Sequence, residues 1–319
     1  MVEIQKILTL TMNPSLDISV EVDRVVTTLK MRCVNDRIDP GGGGINVSRA
    51  INILGGSSMA IFPAGGCTGR MIIEMLQEQG IETRPVTTGL LSRQSFAVLE
   101  QQTNQQYRFS LPGHKLPEEV SRECLQKITQ FVPPPSFVVV SGSLPPGVPE
   151  DFYGHLVNHF RQSRTKIILD TSGEPLKHAL KEQIYLIKPN QRELEYVCDC
   201  SLADEKMQNE KCREIVDKGY CEALVLTLGK KGALLTTRDQ QFRVPGIEVE
   251  EVSAIGAGDS FVGGMVVALQ QGKELADAFL YAMAAGSSAL TTEATALCEK
   301  ETTDIYYRQL QQQYGEKQR

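Results

Sequence analysis

The 319-residue chain contains no apolar run approaching the roughly 18–20 residues that crossing a bilayer demands. Its first thirty residues carry no basic start followed by an apolar stretch and a small-residue cleavage site. A soluble, cytoplasmic protein is therefore expected. A basic block is missing too: 33 Lys and Arg are scattered among 39 Asp and Glu, for a net charge of −6. That balance argues against nucleic acid or an anionic membrane as a partner, so any anion site must be local. Histidine is scarce, with four residues (His114, His155, His159 and His178), and the eight cysteines (33, 67, 124, 198, 200, 212, 221 and 298) include no C-x-x-C pair. Cys198 and Cys200 stand too close for ordinary zinc spacing, so free structural thiols are expected rather than a Cys/His metal site. No G-x-x-x-x-G-K-[ST] occurs, and G-x-G-x-x-G is missing from the first strand–helix turn, which argues against a nicotinamide enzyme. There is no internal repeat.

What is present reads as an alternation of strands and helices. Ile7–Thr11, Phe137–Val140, Ile167–Asp170, Ile184–Ile187 and Ala223–Thr227 are continuous apolar runs, the pattern of parallel strands buried on both faces. Helical patterns lie between them. Ile45–Leu54 ends at Gly55-Gly56 and Arg70–Gln79 at Gly80, where glycine makes the usual C-terminal stop, and Glu150–Arg161 precedes the third strand. A three-layer α/β/α domain spanning residues 1–319 follows. Residues 15–39 and 93–112 break the rhythm with period-two alternation, as in Ile18–Val22 and Phe96–Leu99. They are expected to form half-exposed antiparallel strands of a small sheet, built from two non-adjacent pieces.

Five segments carry chemistry. Pro40-Gly41-Gly42-Gly43-Gly44-Ile45-Asn46 places four glycines, costly in backbone entropy, at the start of a helix. Such a loop serves either as a flexible turn or as a place where backbone N–H groups meet a phosphate or polar sugar. Ile255-Gly256-Ala257-Gly258-Asp259-Ser260 repeats that logic, with Asp259 in the first helical turn. Asp259 there either caps the helix or accepts a proton beside an anion hole formed by residues 256–258. In Lys188-Pro189-Asn190-Gln191-Arg192-Glu193, Asn190 and Glu193 share one helix face, suiting hydrated Mg²⁺, a capping box, or both. Ser141–Gly147 is a loop at a strand end, and Thr227–Ala233 has glycines that could admit an adenine or ribose.

Together these motifs resemble the ribokinase/PfkB family of sugar kinases, from Thr9 to Cys298. The T-x-N-P-S-L-D opening, S-G-S-L-P-P-G and the four-glycine loop are most similar to the phosphosugar branch, and within it to members that act on fructose 6-phosphate. The resemblance implies a ribokinase-like α/β/α fold with a β-sheet lid, and transfer of phosphate from ATP to the sugar's 1-hydroxyl. Tagatose 6-phosphate and fructose 1-phosphate are the nearest alternative substrates, and a non-catalytic sugar-phosphate sensor is a remote one. It implies Asp259 as base and Gly256, Ala257 and Gly258 as anion hole. Asp17, Lys30, Gly41, Gly42, Gly43, Gly44, Asn46, Arg93 and Ser141 match the sugar site. Lys188, Asn190, Thr227, Gly229, Gly232 and Ser287 match the nucleotide site, with Mg²⁺ near Asn190 and Glu193. K⁺ is implied at the carbonyls of Ser253, Ile255, Ala289, Thr292, Ala294 and Ala296, although 290–296 departs from the usual Asn- and Gly-containing pattern. A homodimer clasped through the lids is also implied.

Overall fold

Apolar strands that are buried on both faces must be covered twice, and the chain achieves this with helices on either side of one large sheet. The computed structural model describes residues 6–315. In chain order the strands are β1 (Ile7–Leu10), β2 (Ser15–Val22), β3 (Val34–Gly41), β4 (Met59–Ala64), β5 (Glu82–Thr87), β6 (Arg93–Glu100), β7 (Gln105–Ser110), β8 (Phe137–Ser141), β9 (Lys166–Asp170), β10 (Ile184–Ile187), β11 (Cys221–Thr227), β12 (Ala233–Thr237) and β13 (Gln241–Val244). The helices are α1 (Gly43–Ile53), α2 (Gly66–Glu78), α3 (Glu118–Thr129), α4 (Phe152–Phe160), α5 (Gly173–Ala179), α6 (Gln191–Cys198), α7 (Glu205–Asp217), α8 (Ala257–Gln270), α9 (Leu275–Leu290) and α10 (Lys300–Tyr314).

The main sheet runs β13-β12-β11-β10-β9-β8-β1-β4-β5. It is parallel from β5 to β11, and antiparallel where β12 and β13 are added. Alternate residues divide between two cores: Leu8, Leu10, Val138 and Val140 point into one, Ile7, Phe137 and Val139 into the other. The first core is covered by α3 to α7, the second by α1 and α8 to α10. All eight cysteines are free thiols.

Order along the sheet decides where a ligand goes. From β1 the chain builds outward through β4 and β5, then returns to the opposite side of β1 as β8. A reversal of this kind leaves a crevice beyond the carboxyl ends of β1 and β8. Helices α1 and α8 both begin there. Gly263 and Gly264, inside α8, lie against Ala50 of α1 and Ala285 of α9, at sites where a Cβ would overlap those side chains. Two interior glycines weaken a helix by about 1 kcal/mol each. Here they let α8 approach both neighbours closely, which sets the distance between the two helix starts.

The lid is a four-stranded sheet in the order β3-β2-β6-β7, built from two non-adjacent pieces as the alternation predicts. Its two hairpins are antiparallel, but β2 and β6 pair in parallel, contrary to the uniformly antiparallel expectation. The reason is connectivity: both strands leave the body in the same direction from the ends of different core segments. In register, Asp17 lies beside Asp39 and Ser95, and Ser95 beside Ser110, forming one polar row. The next row is apolar, with Ile18 beside Ile38 and Phe96, and Phe96 beside Phe109.

Candidate active site

The site is assembled from ends: the start of α1, the start of α8, and the polar row of the lid. A cavity of ≈ 190 Å³ is lined by Asp17, Gly42, Gly43, Asn46, Arg93, Gly256 and Asp259, together with Ser95, Arg108, Ser110 and Thr295. A second cavity of ≈ 490 Å³ is lined by Asn190, Thr227, Gly229, Gly232, Ala257, Gly258 and Ser287, with Phe261, Met283 and Leu290 supplying apolar walls. The two share a boundary. Gly256 and Asp259 face the smaller one, Ala257 and Gly258 the larger, so the first turn of α8 divides them.

Glycine is required in the first loop by contact. A Cβ on Gly41 would overlap the Asp17 carboxylate, and one on Gly43 would overlap the Ser141 hydroxyl. Gly42 adopts φ 104°, open only to glycine. The loop thereby lets Asp17, whose Oδ1 accepts a hydrogen bond from the Ser15 hydroxyl at 2.6 Å, stand next to the start of α1. Arg93 Nη1 donates to the Ser95 and Ser110 hydroxyls at 3.1 and 2.8 Å, and its Nε to the Asn13 carbonyl at 3.2 Å. These bonds hold the guanidinium on the cavity wall. Burial works against its charge, and Asp17 favours it.

Gly256, at φ 76°, is the N-cap of α8 and is followed directly by Ala257-Gly258-Asp259 as the first turn. Free backbone N–H groups and the positive end of the helix dipole converge here, in the geometry that holds anions. The Asp259 carboxyl accepts a bond from Asn46 Nδ2 at 2.9 Å. Burial pushes its pKa up to about 7; the Asp170 and Asp17 charges push the same way, and the Asn46 amide and Lys188 oppose. A carboxyl tuned to neutral pH suits proton transfer.

Lys188 is buried beneath this turn, with its Nζ 3.5 Å from the position of a Cβ on Gly258 and 3.1 Å from Asp170 Oδ1. Burial opposes the ammonium, but Asp170 keeps it protonated. Asp170 was not singled out in the sequence. Its signal is a carboxylate closing the apolar run of β9 at the ligand-binding end of the sheet. Asn190 and Glu193 form a complete capping box: Glu193 N donates to Asn190 Oδ1 at 2.9 Å, and Asn190 N to Glu193 Oε2 at 2.8 Å. Burial, reinforced by Asp170, raises the Glu193 pKa.

Several expected residues lie elsewhere. Lys30 is exposed in the β2–β3 connection and lines none of the cavities described here. Ser141 is buried under Gly43, and Gly44 packs on the Leu10 carbonyl; both support the loop from behind. The segments implied for K⁺ do come together. The Ser253 hydroxyl donates to the Ala294 carbonyl at 3.0 Å, and the Thr292 hydroxyl to those of Ala289 and Ala296 at 2.9 and 3.1 Å. Ile255 N donates to Ser253 Oγ at 3.2 Å, tying this cluster to the start of α8.

Residues 10–302 match the pfkB family of carbohydrate kinases. The ATP-dependent 6-phosphofructokinase isozyme 2 of Mycobacterium tuberculosis is 42% identical over 302 residues, covering 95% of this chain and 89% of that one. The Escherichia coli protein of the same description is 36% identical over 303 residues, covering 95% and 98%. The crystal structure of E. coli phosphofructokinase-2 in complex with potassium covers 96% of this chain and 99% of its own, with a TM-score of 0.92. That protein has also been solved with substrates and products and in a tetrameric inhibited form.

Proposed function

The chain belongs to the pfkB family of carbohydrate kinases, and from that premise we propose that it transfers the γ-phosphoryl group of ATP to the 1-hydroxyl of fructose 6-phosphate, giving fructose 1,6-bisphosphate and ADP. The observation that carries this is Asp259, tuned to about 7, at the boundary of two cavities of unequal size and polarity. The smaller, polar cavity suits a phosphosugar: Asp17 accepts from its hydroxyls, and Arg93 and Arg108 supply charge for its phosphate. The larger, partly apolar cavity suits adenosine, with its phosphates directed at Ala257 and Gly258.

In the reaction, Asp259 takes the proton of the 1-hydroxyl while the oxygen attacks the γ-phosphorus in line and ADP departs. The amides of residues 256–258 meet the negative charge on the transferring group, and Lys188 adds a cation behind them. A general base of this kind is worth roughly 10²–10⁴ in rate. Asn46 orients the carboxylate.

The hard oxygens of Glu193, Asp170 and Asn190 fit Mg²⁺, which when bound with ATP would neutralise phosphate charge. The Ser253–Ala294 bond brings the two segments together, and the carbonyls of Ser253, Ile255, Ala289, Thr292, Ala294 and Ala296 on them would suit K⁺, whose positive charge would steady the loop before α8. The exposed apolar row of the lid supports a homodimer in which two lids cover each other. A cytoplasmic enzyme is the fitting setting.

The test is ADP release with Mg-ATP and fructose 6-phosphate, run beside tagatose 6-phosphate and fructose 1-phosphate. Preference for fructose 6-phosphate is expected. Preference for another sugar would retain the chemistry and change the substrate. Binding by calorimetry with no ADP from any of the three would overturn the kinase reading in favour of a sensor.

A further inference from the structure

One buried carboxylate lies outside both cavities and is bonded from three directions. Asp39 is 5% exposed, at the point where β3 leaves the body: residues 34–38 of that strand are exposed, and Asp39, Pro40 and Gly41 are buried. β3 is an edge strand of the lid and pairs with β2 alone. Arg37, on the same strand, donates to Asp39 from Nε at 2.5 Å and from Nη2 at 3.2 Å. Arg49 of α1, itself 5% exposed, donates from Nη2 at 2.7 Å. The Thr295 hydroxyl, 256 residues away in sequence, donates at 2.5 Å.

Two of these partners, Arg49 and Thr295, lead to the reaction centre. Arg49 Nη1 also donates to the Pro40 carbonyl at 3.1 Å and to Asn46 Oδ1 at 3.4 Å. An amide has one oxygen and one NH₂ group, so holding the Asn46 oxygen on Arg49 leaves its Nδ2 directed at Asp259, where it bonds Oδ2 at 2.9 Å. Thr295 is a wall of the smaller cavity and lies between Ala294 and Ala296, whose carbonyls accept bonds from Ser253 and Thr292. A buried carboxylate is tolerated only when paired, so this bonding set resists piecemeal loosening.

We propose that Asp39 is a positioning residue. It latches the lid's hinge strand to α1 and to the 291–299 segment, fixing the Asn46 amide towards the base and Thr295 on the sugar wall. The catalytic part of this inference rests on the kinase reading above, whereas the latch itself is testable without substrate.

The test uses Thr295→Val, which keeps the shape and removes the bond, Thr295→Ser, which keeps the hydroxyl, Asp39→Asn, and the Thr295→Val/Asp39→Asn double variant. Without substrate, Thr295→Val is expected to speed amide hydrogen exchange in residues 34–41 and Thr295→Ser to leave it near wild type. In the kinase assay, Thr295→Val is expected to raise KM for fructose 6-phosphate about tenfold, the order expected for a bond to a charged group, with KM for ATP within about twofold. Thr295→Ser should restore the value. The double variant should match Asp39→Asn alone, because residues acting through one bond are not additive. If Asp39→Asn does not fold, the Val/Ser pair and the exchange measurement still decide the matter. Unchanged exchange with Thr295→Val would overturn the latch. Additive effects in the double variant, or equal changes in both KM values, would overturn the positioning role. Absence of turnover in wild type with accelerated exchange in Thr295→Val would sink the kinase reading alone.

Discussion

The bond from Asn46 to Asp259 makes a quantitative prediction about pH. A hydrogen bond donated to an ionised group favours the charged form by about 1.5–3 kcal/mol, and one pKa unit is about 1.4 kcal/mol. Replacing Asn46 with Ala removes the donor, so the Asp259 pKa should climb by about 1–2 units from its starting value of about 7. At pH 7 the ionised fraction would fall from about one half to between about a tenth and a hundredth. The assay is kcat/KM for fructose 6-phosphate between pH 5.5 and 10, which reports the base in the free enzyme. Loss of any direct contact between Asn46 and the sugar lowers the whole profile without moving its midpoint. Titration of the sugar phosphate, near pH 6, is common to both enzymes and cancels in the difference. The wild-type acid limb is therefore expected near 7 and the variant limb near 8–9. A profile scaled down with its midpoint unmoved, or displaced to lower pH, would refute the argument that Asn46 tunes the base.

Three further outcomes follow from the same geometry. Asp259→Asn should retain ATP binding by calorimetry and lose roughly 10²–10⁴ in turnover. Because the folded pKa of Asp259 is raised from 3.8 to about 7, its burden on folding grows as pH rises between those values, so this variant should gain more in Tm at pH 8 than at pH 5; a larger gain at pH 5 would contradict the sign. Lys188→Met leaves Asp170 buried without its cation and should cost about 3–5 kcal/mol in urea unfolding, most of it regained in Lys188→Met/Asp170→Leu, which stays inactive; equal stability in single and double variants would show that the pair is not coupled. Phe109 is 57% exposed and shares the apolar row with Ile18, Ile38 and Phe96, so Phe109→Asp should convert the proposed dimer to monomer in sedimentation velocity, and a wild type that is already monomeric would remove the lid-to-lid reading.

Much of this was legible wherever a local pattern has a single physical meaning. Five continuous apolar runs became β1, β8, β9, β10 and β11 within a few residues, because only strands covered on both faces tolerate such runs. The glycine-rich starts of α1 and α8 were legible for a similar reason, since four consecutive glycines or a G-x-G before a helix weaken any other structure. β4, β5, β12 and β13 escaped notice. β5 reads Glu-Thr-Arg-Pro-Val-Thr, an edge strand with one partner, where charge and proline are harmless and the apolar signal disappears. Alternation in the lid announced half-exposed strands, but their direction depended on a partner some eighty residues away. The spacing of Asn190 and Glu193 suits capping, metal binding or both. The capping box is present, and because it engages only Oε2 of Glu193 it does not preclude the metal role proposed above.

What the sequence concealed was pairing at long range, and the site depends on it most. Asn46 and Asp259 are 213 residues apart and Asp39 and Thr295 are 256 apart, yet each pair is a single hydrogen bond. No spacing rule reaches that far, and a buried Asp in a strand looks the same as an exposed one until its partners are known. The same holds for the main-chain ligands proposed for K⁺: the carbonyls of Ser253, Ile255, Ala289, Thr292, Ala294 and Ala296 carry no side-chain signature, so the departure of 290–296 from the familiar pattern says little about them. The Ser253 hydroxyl ties the two segments together, that of Thr292 braces the second, and Thr295 fastens it to β3. Turnover, read as ADP release, should therefore fall further when these three hydroxyls are removed than when Ala289, Ala294 and Ala296 are changed.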